Sequence, residues 1–198
     1  MNKRILAAAG VVAVAAGALG VGVSTAFASN EGHSVLRIGQ ARLVDPAGGS
    51  LGTVQLIELN GKLNVIGRVR GLTVGFHGFH IHEKGECIGS STPPFTSAGG
   101  HLKAAGPAGG SHAGHAGDMP VLLVGADGTA QTSFTTDRVR LANILDADGA
   151  AIMIHALPDN YANIPLRYAA AGVAGPDATT LTTGDAGGRV ACGVVTGR

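Results

Sequence analysis

Two histidines with His-x-His spacing, His80 and His82, lie in the segment 75–87, which reads GFHGFHIHEKGEC. In an extended strand alternate side chains share a face, so the two imidazoles point to one side and Ile81 points to the other. Imidazole suits copper and zinc, and copper lies at the top of the affinity order of the divalent metals. The spacing therefore predicts a chelating pair on a strand. Because an isolated His-x-His is a weak motif, a half-buried strand with incidental histidines is the alternative interpretation.

The surroundings of this pair favour the metal-binding interpretation, because the whole segment 75–87 resembles the copper-binding strand of the copper/zinc superoxide dismutase family. The resemblance recurs, in the family's order, in three other segments, which are SAGGH at 97–101, HAGD at 115–118 and GDAGGRVACG at 184–193. The four segments span nearly all of the chain that follows the first 28 residues. The chain therefore resembles a member of this family, and specifically its exported bacterial type.

The composition is typical of a turn-rich β protein. The 198 residues include 33 glycines, eight prolines and no tryptophan, and no segment shows a convincing helical period. The dipeptide Asn60-Gly61 is a strong signal for a two-residue hairpin turn. Segments with strand-like patterns are 34–44, 53–59, 62–70, the His-x-His segment, 121–124, 130–135, 151–156 and 190–195. We therefore predict an all-β domain, an eight-stranded Greek-key sandwich or flattened barrel, which is an architecture that includes this family.

Two long segments, residues 83–120 and 157–188, do not fit a minimal sandwich. Loops of this length are unusual in a compact domain unless they are functional. Each begins beside a strand that carries a candidate ligand and runs to another candidate site residue. We therefore expect two functional loops that cover the metal site.

The resemblance implies a copper site made of four histidines. His80 and His82 match the first two copper ligands of the family, and His155, near the end of the apolar run 151–156, matches another. His101 matches the ligand whose imidazolate bridges copper and zinc. Taken alone, a histidine at the end of an apolar strand is more often a core residue, so the assignment of His155 depends on the resemblance.

The resemblance also implies a zinc site, for which four ligands in a tetrahedral arrangement are typical. His101, His115 and Asp118 match zinc ligands of the family. The remaining family histidine lies well upstream, whereas here the loop is shortened and the candidate is His112, three residues before His115. Three alternatives stay open: an altered zinc site that includes His112, a copper-only enzyme with a degenerate zinc site, and a loop whose histidines are merely solvated.

Two further residues acquire roles from the resemblance. Asp159, four residues after His155, matches the carboxylate that hydrogen-bonds a copper-binding and a zinc-binding histidine, an interaction that fixes tautomer and ring orientation. Arg189 matches the arginine that attracts and orients the anionic substrate, and a guanidinium is permanently charged. The resemblance also gives His101 a catalytic role, the delivery of a proton to the departing peroxide.

The two cysteines, Cys87 and Cys192, both lie in the part of the chain that we predict to be exported. An even number of cysteines in an oxidising compartment is typical of one disulfide, and two buried free thiols are the alternative. The resemblance implies that these two positions are paired, which would tie the loop after the copper strand to the last strand.

Residues 1–28 have the layout of a secretory signal peptide. A short basic start, Lys3-Arg4, precedes an apolar run that ends in the cleavage-like motif AFA. An uncleaved membrane anchor is the alternative, since the run is nearly long enough to span a bilayer. We predict cleavage, a mature domain of residues 29–198 without stable membrane insertion, and a secreted or cell-envelope location. The mature chain would carry 12 basic and 13 acidic side chains, a balance that indicates no nucleic-acid partner.

The function that the resemblance implies is copper-dependent disproportionation of superoxide to dioxygen and hydrogen peroxide, with zinc as the second metal. A non-catalytic extracellular β-sandwich that sequesters metal is the alternative from a different class. Such a protein needs neither an anion-orienting cation nor a carboxylate that joins two metal ligands, so Arg189 and Asp159 favour the enzyme. The resemblance permits a homodimer but leaves the oligomeric state open, because members of the family differ.

Overall fold

The computed structural model of the chain describes residues 36–103 and 111–198. The predicted signal peptide, residues 1–28, lies outside the described residues. In the described part the strands and α-helices are β1 (Arg37–Val44), β2 (Ser50–Leu59), β3 (Lys62–Arg70), β4 (Gly75–His77), β5 (Phe79–His82), β6 (Leu122–Val124), β7 (Thr129–Thr136), α1 (Leu141–Ile144), β8 (Ala151–His155), β9 (Ala169–Ala170), β10 (Val173–Ala174), α2 (Thr180–Thr183) and β11 (Arg189–Gly197).

Seven strands form one antiparallel sheet in the order β5-β8-β11-β1-β2-β3-β7. β1, β2 and β3 are consecutive neighbours, whereas β5, β8 and β11 reach their places through the long connections of a Greek key. Asn60 and Gly61 join β2 to β3, and both have positive φ (51° and 72°), as the predicted two-residue turn requires. Strands occur in all eight predicted segments, which confirms the all-β fold.

The predicted copper-binding strand is in fact two strands that belong to different sheets. β4 pairs with β6 in a separate two-stranded sheet, and β5 pairs with β8 in the large one. Gly78 lies at the break, where a Cβ atom would come within 2.6 Å of the Ala186 Cβ and 3.1 Å of the His80 Cε1. The Gly78 amide donates to the Leu157 carbonyl, and the Gly78 carbonyl accepts from the His155 amide. The break therefore ties the strand to the second long loop.

The inward faces of the large sheet share one apolar core that reaches the predicted metal-binding strands. Alternate residues of β1, β2 and β3 are buried, and Ile81 of β5 joins Ile152 and Ile154 of β8 in the same cluster. Burying a side chain of this size contributes about 1.5 to 3 kcal/mol relative to leaving it exposed. All four residues of β5 are buried, so the strand that carries His-x-His is held by packing along its whole length.

The two long connections contain much of the irregular structure. The first includes a 3-10 turn at Thr96–Ala98, and the second includes α2 and the pair of β9 and β10. α1 packs Leu141 and Ile144 into the core. The sequence predicted no helix, and each α-helix has four residues, which is too short to show a helical period. Among the described residues, no helix has the length and apolarity needed to cross a bilayer.

A disulfide joins Cys87 in the first long loop to Cys192 in β11, with the two Cα atoms 5.7 Å apart. This confirms the predicted bridge. Cys192 is fully buried and packs in a small cluster with Phe95, Ala98 and Met153. Because the two cysteines are 105 residues apart in sequence, the bridge fastens the loop beside the metal-binding strands to a distant part of the chain.

Replacing both Cys87 and Cys192 with serine should destabilise the fold, because the crosslink removes conformational entropy from the unfolded chain. For a separation of 105 residues, the expected loss in the free energy of unfolding is roughly 4 to 5 kcal/mol. Denaturant unfolding of the metal-free protein, followed by circular dichroism, measures this difference. Wild-type protein treated with a reductant is the matched control and should unfold like the variant. An unchanged unfolding midpoint would contradict the expected constraint.

Candidate metal centre

The edge of β5 positions two predicted ligands that lie in the first long loop. The backbone of His82 pairs with that of His101, and the backbone of His80 pairs with that of Asp118. Between them, Ile81 is hydrogen-bonded to the loop through both its amide and its carbonyl. The loop therefore runs along β5 like an irregular neighbouring strand and brings its ligand residues beside the His-x-His pair.

Four buried histidines bring one ring nitrogen each to within 4.8 Å of one another, and they are the four residues predicted to bind copper. His80 and His82 come from β5, His155 from the end of β8, and His101 from the first long loop. None is more than 5% exposed. The structure therefore brings the whole predicted copper set together.

Backbone carbonyls fix the rings of His82 and His155. The Nδ1–H of His82 donates to the Gly99 carbonyl, and the Nδ1–H of His155 donates to the Gly187 carbonyl. Both N···O distances are 3.0 Å. The two Nε2 atoms then carry lone pairs, and they lie 3.3 Å apart. Facing lone pairs repel each other, whereas a cation between them attracts both. This pair of rings therefore suits a metal ion.

Within the described residues, two buried ring nitrogens have no hydrogen-bond partner, His80 Nδ1 and His112 Nδ1. An unsatisfied buried polar atom is costly, so each such atom calls for a specific explanation, such as an ion that it would bind. The other nitrogen of each ring is hydrogen-bonded to the Asp159 carboxylate. Each ring therefore has one nitrogen held by protein and one available to a metal.

The Asp159 carboxylate joins these two histidines. The Nε2–H of His80 donates to the carboxylate with an N···O distance of 2.6 Å. The Nε2–H of His112 and the amide of Tyr161 also donate to it, each with an N···O distance of 2.7 Å. Burial raises the pKa of Asp159, but the hydrogen bonds from His112 and His80 outweigh burial and hold that pKa well below its usual range. Gly184 leaves room for the contact, because a Cβ atom there would overlap Asp159 and His112.

A second cluster of ligand atoms adjoins the first. His80, His101, His112 and Asp118 bring one ligand atom each to within 4.8 Å of one another. The predicted zinc set contains His115 in place of His80, and His115 Nδ1 lies 3.3 Å from Asp118 Oδ1. The structure therefore brings three predicted zinc ligands close together and attaches His115 to them through Asp118.

Three imidazoles converge on one oxygen of Asp118. The Nδ1 atoms of His101, His112 and His115 lie 2.9, 3.2 and 3.3 Å from Oδ1, and the His115 amide donates to Oδ2 over 2.9 Å. Burial raises the pKa of Asp118, but the hydrogen bond from His101 and the interaction with His112 outweigh burial and hold that pKa far below its usual range. Three nitrogens and one carboxylate oxygen match the four-ligand set that zinc takes.

The pKa values of the histidines shift in opposite directions. Burial lowers the pKa of His101 to about 4 and that of His155 to about 3. Burial also acts to lower the pKa of His112, but its interactions with Asp118 and Asp159 outweigh burial and raise that pKa to about 9. At neutral pH, metal-free His101 and His155 are therefore neutral, whereas His112 carries a proton that a metal ion must displace.

Arg189 lies at the start of β11, opposite His155, and lines a cavity of about 440 Å³ that opens onto the histidines. Its guanidinium donates hydrogen bonds to the carbonyls of Phe95 and Gly99 in the first long loop. The Gly99 carbonyl also accepts from the Nδ1–H of His82. The loop therefore holds a permanent positive charge in the cavity that His82 and His155 share.

The second long loop forms the other side of this cavity. Thr179, Thr182 and Thr183 line it together with Asp185, an exposed carboxylate held by two hydrogen bonds from neighbouring side chains. Among the described residues of the lining, Arg189 and Asp185 carry opposite charges and the threonines carry none. Both long loops thus contribute to the cavity over the histidines.

Three contributions to the site were not predicted from the sequence. Two are the carbonyls of Phe95 and Gly99, and a residue of any type can supply a backbone carbonyl. The third is Tyr161, whose ring lies nearly parallel to that of His112. Its position two residues after Asp159 was the available signal, and no spacing rule links such a residue to a metal site.

The antiparallel β-fold and the two adjoining clusters define a β-protein built around a pair of metal sites. The sequence model of the family described as "Copper/zinc superoxide dismutase (SODC)" matches residues 50–195. The chain therefore belongs to the copper/zinc superoxide dismutase family, which confirms the predicted resemblance.

Similar proteins agree with this assignment. The chain is 44% identical over 167 residues to the superoxide dismutase [Cu-Zn] of Mycobacterium tuberculosis, covering 77% of this chain and 68% of that protein. It is 32% identical over 187 residues to the one of Deinococcus radiodurans, covering 89% and 92%. The crystal structure of a SOD-like protein from Bacillus subtilis has a TM-score of 0.58 at 30% identity, covering 78% of this chain and 96% of that one. The Cu/Zn superoxide dismutase from Brucella abortus has a TM-score of 0.60 at 30% identity, covering 79% and 98%.

Replacing Asp159 with asparagine should weaken metal binding, because an amide presents one oxygen acceptor and an NH₂ group where His80 and His112 now share a carboxylate. The expected loss in zinc affinity is about 10- to 100-fold, the usual effect of removing a partner of a metal ligand. Competition with a chromophoric chelator measures it. Asp137→Asn, which changes an exposed carboxylate outside the centre, is the matched control. Equal zinc affinity in the Asp159 variant and the wild type would contradict the expected coupling.

Proposed function

We propose that the protein is an exported, copper-dependent superoxide dismutase, which converts two superoxide anions and two protons to dioxygen and hydrogen peroxide. The observation that carries the proposal is the guanidinium of Arg189 in the same cavity as His82, His101 and His155. A cavity lined by ligating nitrogens and one fixed cation suits a small anion that must reach a redox metal. A protein that only sequesters metal needs no such cation.

The two clusters are assigned to the two metals of the family. The fixed tautomers of His82 and His155 and the unpartnered Nδ1 of His80 in the first cluster support a metal bound by imidazoles, and the carboxylate in the second supports zinc. The proposed copper ligands are His80, His82, His101 and His155, and the proposed zinc ligands are His101, His112, His115 and Asp118.

Bound copper supplies a reversible one-electron change, through which the electron of one superoxide anion reaches the next. Arg189 binds the incoming anion through its charge and its N–H groups and holds it beside His82 and His155. The hydrogen bonds from those two histidines to backbone carbonyls keep their Nε2 atoms fixed during turnover.

His101 is the proposed proton carrier. Its Nδ1 lies 2.9 Å from Asp118, which leaves Nε2 for the other three histidines of the copper set. A proton taken up at Nε2 passes to the second superoxide as it is reduced, and this species takes its other proton from solvent and leaves as hydrogen peroxide.

A copper-only enzyme is the second candidate. His115 is attached to the second cluster through Asp118 and is not one of the four closely spaced ligand atoms, and His112 departs from the family's spacing. In such an enzyme Asp118 would still hold His101, and the zinc set would have a structural role without a metal. Metal analysis distinguishes the two candidates.

We also propose that residues 1–28 are a cleaved signal peptide and that the mature domain, residues 29–198, is secreted or held at the cell envelope as a monomer or homodimer. The basic start, the apolar run and the AFA motif support export. The Cys87–Cys192 disulfide is typical of an oxidising compartment. Recovery of an uncleaved chain from the membrane fraction would contradict this part of the proposal.

Removing copper should abolish superoxide disproportionation, because the residues of the site supply no one-electron carrier of their own. Elemental analysis of the purified protein should give one copper and one zinc per chain, and activity should return when copper, but not zinc alone, is added to the metal-free protein. Copper without zinc at full activity would instead support the copper-only enzyme. Bound copper without activity would contradict the proposal and favour metal sequestration.

Replacing Arg189 with alanine should lower kcat/KM for superoxide about 10- to 100-fold, because a hydrogen bond to a charged group contributes roughly 1.5 to 3 kcal/mol and each 1.4 kcal/mol is about tenfold. Copper content should stay unchanged, and Arg189→Lys should recover part of the loss, since it restores the charge without the planar fork. Pulse radiolysis or stopped-flow decay of superoxide provides the rates. The control Arg68→Ala changes an exposed arginine of β3. Full activity in the Arg189→Ala variant would rule out the anion-binding role.

A further inference from the structure

Tyr161 contacts the second metal cluster, and the family resemblance gave it no role. Its ring lies against that of His112, with the ring centroids 6.2 Å apart and the ring planes within 12° of parallel. Offset parallel packing at this distance is a favourable geometry for aromatic rings. His112 is also the proposed ligand whose spacing departs from the family, so the contact falls on the residue whose position most needs support.

The phenol of Tyr161 is anchored to the backbone that follows Asp118. Its oxygen accepts a hydrogen bond from the Val121 amide over 2.7 Å, and its O–H donates to the Met119 carbonyl over 3.3 Å. The ring is therefore fixed at its far end to the segment that carries one zinc ligand, while its face supports another, His112. These two contacts set the distance between Asp118 and His112.

The backbone of Tyr161 is tied to the same centre. Its amide donates to Asp159 Oδ1 at a distance of 2.7 Å, and the same carboxylate accepts a hydrogen bond from His112. Tyr161 adopts a left-handed conformation with φ of 55°, which is unfavourable for a residue other than glycine. A residue keeps such a conformation when its surroundings enforce it, and here the contacts are with Asp159, with the His112 ring and with the backbone that follows Asp118.

His112 lies in a glycine-rich segment. The sequence around it contains Gly110, Gly114 and Gly117, and glycine gives a backbone unusual freedom. The His112 amide donates to the Leu181 carbonyl over 2.6 Å, but that bond does not restrict rotation of the ring. The orientation of the His112 ring is set by Asp159 and Asp118 at its edge and by Tyr161 on its face.

We propose that Tyr161 is a positioning residue of the zinc site, which holds the His112 ring so that its unpartnered Nδ1 faces Asp118, 3.2 Å away. This rests on the proposed zinc ligand set. Stacking supplies the flat support, and the two hydrogen bonds of the phenol keep the support in place. Tyr161→Phe keeps the stacking and loses the hydrogen bonds of the phenol, whereas Tyr161→Leu loses both.

The test is the zinc affinity of the copper-loaded protein, measured by competition with a chromophoric chelator. Tyr161→Leu should weaken zinc binding about 10-fold or more, as expected for losing the partner of a metal ligand, and Tyr161→Phe should weaken it less. Copper content should be unchanged in both. Tyr168→Phe, which alters an exposed tyrosine of the same loop that lies beside Arg167, is the matched control and should bind zinc like the wild type.

Cobalt in the zinc site separates positioning from general stability. Its visible spectrum reports ligand geometry, so the spectrum of the Tyr161→Leu variant should differ from that of the wild type. A merely structural role would lower the unfolding midpoint and leave the cobalt spectrum unchanged, and that outcome would overturn the proposal. The protein has two tyrosines and no tryptophan, so in the Tyr168→Phe background the emission of Tyr161 should change as zinc binds.

His112→Ala distinguishes failure of this proposal from failure of the ligand assignment. If His112→Ala loses zinc while both Tyr161 variants bind zinc like the wild type, Tyr161 has no positioning role. If His112→Ala retains full zinc affinity, the zinc ligand set is wrong and the proposal fails with it. Should Tyr161→Leu fail to fold, judged by circular dichroism, Tyr161→Phe decides: wild-type zinc affinity in that variant would contradict the role of the phenol.

Discussion

One buried carboxylate, Asp159, accepts hydrogen bonds from both His80 and His112, and the arrangement of the whole centre depends on it. Hydrogen bonds to an ionised acceptor are about twice as strong as neutral ones, so neither ring turns without losing a strong, buried interaction. His80 belongs to β5 and is held by the core, whereas His112 lies in a glycine-rich loop. The carboxylate therefore transfers the rigidity of the sheet to the loop and couples the two ligand sets.

Arg189, the proposed anion-binding residue, is fixed by a similar arrangement, in which a loop is fastened to the sheet and then holds a side chain. β11 carries both Arg189 and Cys192, and the disulfide brings the first long loop onto that strand. The same loop places the carbonyl of Gly99 where it accepts hydrogen bonds from Arg189 and from the Nδ1–H of His82. A single backbone group thus sets the relative positions of the cation and of one proposed copper ligand.

The sequence predicted the features that depend on residue type and periodicity. Alternating apolar residues predicted the strands of the large sheet, and the four family-like segments predicted His80, His82, His101, His115, the disulfide and Arg189. The break at Gly78 was not predictable, because it depends on Ala186, which is distant in sequence and contacts it only after folding. The carbonyl of Gly99 has no residue signature, and the place of Tyr161 follows from tertiary packing. The roles assigned to the individual ligands stay predictions, since distances show what a group can bind and not what it does.

The charges that line the cavity affect how an anion arrives. Among the described residues of the lining, Arg189 and Asp185 have opposite charges and the threonines have none, so the two charges largely cancel outside the opening. Dissolved salt screens charges over about 8 to 10 Å at physiological concentrations, but a pair of charges that largely cancel gives it little to screen. These two lining charges would therefore do little to guide superoxide from a distance, and Arg189 would act on the anion only inside the cavity. The contribution of this pair to capture would then vary little with the salinity of the surroundings.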